Sequence, residues 1–217
     1  MIKKLLLLLI LIPGFSMAQI SFTSGNAALV NASLYSGVAI GVTDMNGDGL
    51  DDIIRLDNAS SLEIEYQNTN GNFTRFNYGS TGGSKWGLAI ADVDRNGFND
   101  LLTGGSYNGL KLYTANSNGT DYNPTTLTFN IFVQNLNFAD IDNNGTIDIF
   151  ACHDVGLSKA FSNDGNGIMT ENNGLINAVS TIPSDNSGNY GSIWIDYDND
   201  DDLDLYISKC RLGVSNP

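Results

Sequence analysis

Four acidic nonapeptides constrain this chain more than any other feature: "DMNGDGLDD" from Asp44, "DVDRNGFND" from Asp92, "DIDNNGTID" from Asp140 and "DYDNDDDLD" from Asp196. The first three start 48 residues apart, and the last follows after 56. A second marker keeps the same register. Asn70-Gly71, Asn118-Gly119 and Asn166-Gly167 each begin 26 residues after the first aspartate of their repeat. Two markers locked to one period describe a repeat architecture. A single β-sandwich would not require an acidic loop to return at the same place.

The residues around each loop alternate. Two and four places before the first aspartate stand Val42 and Ile40, Ile90 and Leu88, Phe138 and Leu136, and finally Trp194 with Ser192 as the exception. Period two predicts a strand with one buried face. After each loop comes an apolar pair, Ile53-Ile54, Leu101-Leu102, Ile149-Phe150 or Leu205-Tyr206, which fits a strand covered on both faces. A third run follows, "SLEIEY" or "GLKLYT", and Asn-Gly then predicts a tight hairpin turn into a fourth, such as "NFTRFNY". Four short antiparallel strands per repeat predict an all-β fold, a β-propeller built of four-stranded blades. The repeats are expected near 37–80, 85–130, 133–180 and 190–217, with the last one incomplete.

Within each loop, oxygen-bearing side chains fall at positions one, three, five and nine. These are Asp44, Asn46, Asp48 and Asp52; Asp92, Asp94, Asn96 and Asp100; Asp140, Asp142, Asn144 and Asp148; and Asp196, Asp198, Asp200 and Asp204. Position seven, occupied by Leu50, Phe98, Thr146 and Asp202, is expected to offer its backbone carbonyl. An all-oxygen set without His or Cys selects calcium over zinc or copper. Gly49, Gly97 and Gly145 hold position six, where a chain folding around an ion needs a positive φ. An EF-hand begins the same way but needs a glutamate at position twelve, and Arg55, Thr103, Ala151 and Ile207 stand there instead. Two carboxylates about 4 Å apart repel by roughly 4 kcal/mol at an effective dielectric near 20. Up to four calcium ions are therefore expected in a structural role.

Composition agrees. Asp and Glu number 24 against ten Lys and Arg, for a net charge of −14, and only Glu63, Glu65 and Glu171 are glutamates. Nucleic acid is excluded as a partner, because phosphate-backbone binding needs clustered cations. The opening "MIKKLLLLLILIPGFSMAQ" has the layout of a secretory signal over residues 1–18, with an apolar run from Leu5 to Ile12 too short to span a bilayer. Residues 19–217 are then the mature, secreted chain. Its two cysteines, Cys152 and Cys210, are expected to pair if their Cα atoms approach closely enough.

"GLAIADVDRNGFNDLL", "LNFADIDNNGTIDIF", "GSIWIDYDNDDDLDLYIS" and the preceding "AFSNDGNGIMTE" resemble the FG-GAP or VCBS repeats of integrin α-like β-propellers, over roughly Gly37 to Ser208. The resemblance implies calcium loops in the hairpin between the first two strands of each blade, with the residues named above as ligands. It also implies seven-bladed rings. Asp201 departs from it by replacing the glycine of position six. Three repeats are complete and the fourth has two strands, so closure calls for further chain or for oligomerisation, and further chain is the expectation; a strand at Ile20–Thr23 would complete one blade only. The function expected is binding or adhesion to an extracellular protein or glycan. The alternatives are a polysaccharide-degrading enzyme, since such propellers resemble some lyases and accompany hydrolases, and a passive surface element. His153, the only histidine, has no acid–base partner or nucleophile motif in the sequence, and Ser158 lies in no nucleophile elbow.

Overall fold

The computed structural model describes residues 21–30, 39–57, 60–176 and 187–210. The expected export signal at 1–18 lies outside them, as do the first residues of the repeat expected from 37 and the last of the repeat expected to end at 180. The described residues are all-β apart from two single 3-10 turns, Asn26–Ala28 and Asn173–Leu175. None of their helices is long and apolar enough to cross a membrane.

Each repeat makes one antiparallel sheet whose strands lie in chain order. The first contains β1 (Ile40–Thr43), β2 (Asp52–Asp57), β3 (Ser61–Gln67) and β4 (Phe73–Ser80). The second contains β5 (Lys85–Ala91), β6 (Asp100–Gly105), β7 (Leu110–Ala115) and β8 (Tyr122–Thr128). The third contains β9 (Val133–Ala139), β10 (Asp148–His153), β11 (Lys159–Asn163) and β12 (Met169–Glu171). A two-stranded sheet, β13 (Asn189–Ile195) and β14 (Asp204–Lys209), follows. These sheets are propeller blades, and every acidic nonapeptide joins the first strand of a blade to the second.

The core lies between blades, not within them. Ile54, Leu56, Leu62 and Ile64 of blade 1 pack on Leu101, Tyr113 and Tyr122 of blade 2. Leu102 and Leu112 of blade 2 pack on Val133, Leu136, Ile149 and Phe161 of blade 3. Sequence-adjacent units that bury one another's faces stabilise a repeat array by nearest-neighbour terms. The joint between blades 3 and 4 is more polar. Ser192 Oγ lies 2.9 and 2.8 Å from the Oδ1 atoms of Asn135 and Asn137, and among the described residues Phe150 and Trp194 meet ring edge to face, at 5.8 Å.

Four sequence expectations need correction. The alternating face of β1 is not buried: Ile40 and Val42 are 62% and 63% exposed, because they point away from blade 2 and no earlier blade covers them among the described residues. Ser21 to Thr23 form no strand and are exposed, and Ile20 lies outside the described residues. The Asn-Gly pairs sit in wider loops than a two-residue turn. In residues 68–72, Asn68 N–H donates to Asn72 O at 2.7 Å and Gly71 has φ of 79°. Finally, Cys152 and Cys210 are unbonded. The buried Cys152 Sγ faces Ser192 Oγ of β13 at 3.3 Å, while the exposed Cys210 follows β14, one strand further out.

Blade 1 also hides charge that the strand pattern does not reveal. Glu63 and Glu65 on β3 are fully buried on the face opposite Leu62 and Ile64. They pair with Arg75 and Arg55, and Glu65 accepts the Val30 N–H at 3.3 Å. Pairing is what makes their burial tolerable.

Close approach of the blades depends on small residues. A Cβ on Gly87 would stand 2.7 Å from Leu136 Cγ in the next blade. Gly87→Ala is expected to lower the unfolding free energy in urea by about 1–3 kcal/mol, as overpacking does. Leu136→Ala in the same chain should recover part of that loss. An equal cost of Gly87→Ala in both backgrounds would contradict this account of the joint.

Candidate metal centre

The four loops share one hydrogen-bond plan, which follows from the placement of short acidic side chains opposite free backbone N–H groups. The aspartate at position one receives two of them in every loop, and Asp44 takes the Asn46 and Gly47 N–H groups as well. Its Oδ1 accepts from position five at 3.0–3.2 Å, through Asp48, Asn96, Asn144 and Asp200. Its Oδ2 accepts from position six at 2.8–3.2 Å, through Gly49, Gly97, Gly145 and Asp201. The side chain at position five accepts from position seven: Leu50 N–H to Asp48, Phe98 to Asn96, Thr146 to Asn144 and Asp202 to Asp200, at 2.7–3.0 Å.

Position nine joins three parts of the blade. Its Oδ2 accepts from position two, with Met45 N–H donating to Asp52, Val93 to Asp100, Ile141 to Asp148 and Tyr197 to Asp204, at 2.8–3.2 Å. In the complete blades Oδ1 also accepts from the end of the third strand, from Gln67, Ala115 and Asn163 at 2.7–2.9 Å. Asp52, Asp100 and Asp148 are accordingly buried, whereas Asp204, with no third strand described beside it, is exposed.

Two residues per loop lie in the left-handed region. Position six does so as the sequence predicts, including Asp201 at φ of 73°. Position four does so as well, with Gly47, Arg95, Asn143 and Asn199 between 57° and 74°. Gly, Asn and Asn at that position were the available signal, and Arg95 obscures it, since only Gly and to a lesser degree Asn visit this region readily.

The result is a set of carboxylate triads. Positions one, three and nine bring one oxygen each within 4.8 Å of the others in Asp92, Asp94 and Asp100, in Asp140, Asp142 and Asp148, and in Asp196, Asp198 and Asp204. The first loop has Asn46 at position three, and it forms no such triad of acidic groups among the described residues. Position five stands apart: Asp200 is outside the fourth triad although it is a carboxylate. The donors are all oxygen, which fits a hard divalent cation and not a thiophilic one.

Neighbouring loops touch. Asn99 Nδ2 donates to Asp44 O at 2.7 Å, Arg95 donates to Gly145 O, and Asn143 donates to Asp202. The Asn-Gly hairpins rest on the loop of the preceding blade. A Cβ on Gly119 would stand 2.8 Å from Met45 O, and one on Gly167 3.0 Å from Asp94 Cβ, while Gly71, with no earlier loop described, has open space. Asn163 Nδ2 completes the contact with the second loop at Val93 O, 2.8 Å away. Sequence reading assigned none of these bridging roles.

Burial raises the pKa of the position-nine aspartates Asp52, Asp100 and Asp148. Desolvation pushes Asp100 up to about 6, with the charges of Asp94 and Asp92 adding to it against the backbone N–H groups of Ala115 and Val93. Asp52 and Asp148 are raised for the same leading reason. His153 is held below its ordinary value by desolvation first and then by Lys159. Its Nδ1 faces the backbone N–H groups of Phe132 and Val155 at 3.4 and 3.3 Å, and Ser158 Oγ accepts the His153 backbone N–H, not a ring contact.

The sign of the pH effect follows. Asp100 holds its proton in the folded chain up to about pH 6 but loses it near 3.8 when unfolded. Between those values the folded state binds more protons, so stability in the presence of a chelator falls as pH rises through that window. Urea unfolding of the chelated chain should show a loss on the order of 3 kcal/mol from this group. Flat or rising stability from pH 4 to 6 would contradict the burial of that charge.

Comparison with known proteins is consistent with the repeat geometry. The FG-GAP-like repeat family matches residues 44–103 and, one repeat later, residues 92–151. No curated protein matches the chain. With its loops, strands and register in place at the matched residues, the chain belongs to the FG-GAP-like repeat family, whose repeats form β-propeller blades.

Proposed function

We propose that residues 19–217 form a secreted, calcium-stabilised propeller module that binds an extracellular protein or glycan, and that residues 1–18 direct its export. The observation behind this is the return of the same carboxylate triad in three successive loops. Calcium takes six to eight oxygens, and carboxylates with backbone carbonyls are its usual donors. Positions one, three and nine supply the triad, Asn46 taking position three in the first loop. Position five, in Asp48, Asn96, Asn144 and Asp200, and the backbone carbonyls of Leu50, Phe98, Thr146 and Asp202 complete the set. The ion offsets the mutual repulsion of the carboxylates and holds loops that bridge two blades. Its role is structural, not catalytic. The surroundings of His153 and Ser158 favour a non-enzymatic module, because the imidazole Nδ1 faces backbone N–H groups and does not activate the hydroxyl.

A rigid array presents its connecting loops at fixed spacing, which suits recognition at a surface. FG-GAP repeats are typical of extracellular proteins, and that supports the assignment to the outside of the cell. The two parts of the proposal separate experimentally. Calcium at a hundredfold excess over Kd should stabilise the chain by about 2.7 kcal/mol per occupied site, against a chelated control with magnesium. No rise in melting temperature and no heat of binding would sink the calcium assignment. Glycan-array and cell-surface binding by the calcium-loaded chain should be lost on chelation. Binding that is absent throughout would sink the recognition role and leave the metal role standing.

A further inference from the structure

The second and third acidic loops are joined through buried groups. Val93, between Asp92 and Asp94, donates its N–H to Asp100 Oδ2 at 2.8 Å, and its carbonyl accepts Asn163 Nδ2 at 2.8 Å. Asn163, at the end of β11, gives its backbone N–H to Asp148 Oδ1 at 2.9 Å. Its Nδ2 also donates to the carbonyl of Ile147, next to Asp148, at 2.9 Å, and its Oδ1 accepts the Gly165 and Gly167 N–H groups. With both donors and both lone pairs in use, the amide has one orientation. Asp100, Val93, Asn163 and Asp148 are all buried, so water does not compete for these bonds. Three hydrogen bonds therefore run from the position-nine carboxylate of one loop to that of the next. Among the described residues no such relay joins the first loop to the second. Ala115 stands in blade 2 where Asn163 stands in blade 3, each giving its N–H to the position-nine carboxylate, and alanine has no amide to extend. At the joint of blades 3 and 4 the bridge is the exposed pair Asn143 and Asp202.

Resting on the calcium reading above, we propose that the second and third loops bind their ions as a coupled pair, with Asn163 as the positioning residue that carries the coupling. An ion held by Asp148 fixes that carboxylate, and with it Asn163 and the Val93 backbone that separates Asp92 from Asp94. Part of the ordering cost of the second loop is then already met when its own ion arrives, so the second ion binds more tightly. Linkage makes the effect reciprocal: an ion in the second loop strengthens the third by the same factor.

An NMR titration of the full chain with calcium reads the loops separately, through the amides of Gly49, Gly97 and Gly145, each bonded to the first aspartate of its own loop. Asp142→Ala takes one carboxylate out of the third triad and leaves the bonds of Asp140 and Asp148 in place. It should lower the calcium affinity read at Gly97 by about fivefold or more, the lower end of coupling between sites, and leave that read at Gly49 unchanged. In an Asn163→Ala background the same substitution should leave Gly97 unaffected. Asn163→Ser, too short to span Val93 O and Ile147 O, serves if the alanine variant does not fold. A titration that moves none of the three amides overturns the calcium reading and the coupling with it. Calcium binding with no fall at Gly97, an equal fall at Gly49, or a fall that persists without Asn163 overturns the coupling and leaves the calcium reading standing.

Discussion

The carboxylate at position nine of the loop in each of the three complete blades holds this fold together. In the complete blades its two oxygens accept one N–H from the head of the loop and one from the end of the third strand, as Asp100 does with Val93 and Ala115. A buried charge is tolerated only where such donors are supplied. Because the side chain is short, it fixes the loop close to the second strand and leaves the aspartates at positions one and three beside it. The geometry of the carboxylate triads and the blade geometry are therefore one arrangement. A change at position nine affects both.

The same economy governs contacts between blades. Hairpin glycines at Gly119 and Gly167 lie against the loop one blade back, and Asn99, Arg95 and Asn143 reach from loop to loop. Blade order thus sets loop order. An ion in one loop would brace contacts made by its neighbours. The first blade, which has no earlier partner described, instead buries Glu63 and Glu65 against Arg75 and Arg55.

Much of this was legible in the sequence because the repeat reports it several times over. Strand number, the place of the loops between first and second strands, and the left-handed turn at position six all follow from residue type and spacing. The exposure of Ile40 and Val42 was not legible, since alternation reports a face and not whether a neighbour covers it. Nor was the separation of position five from the triads: Asp200 has the right chemistry, but its oxygen accepts the Asp202 N–H. The left-handed conformation at position four was masked by Arg95. Pairing of Cys152 with Cys210 followed from compartment and not from geometry, and the fold places Ser192 against Cys152 instead.

Comparison of Asp100→Ala with Asp204→Ala tests the central role of position nine most directly, because Asp100 is buried with two backbone donors and Asp204 is exposed with one. Hydrogen exchange by mass spectrometry or NMR, paired with urea unfolding, reads both the amides and the stability. Asp100→Ala should unmask the Val93 and Ala115 amides and cost about 2 kcal/mol or more, the penalty of buried donors left unpaired. Asp204→Ala should cost under about 0.5 kcal/mol, as an ordinary surface change does. Equal costs, or undiminished protection of the Val93 and Ala115 amides, would contradict the account.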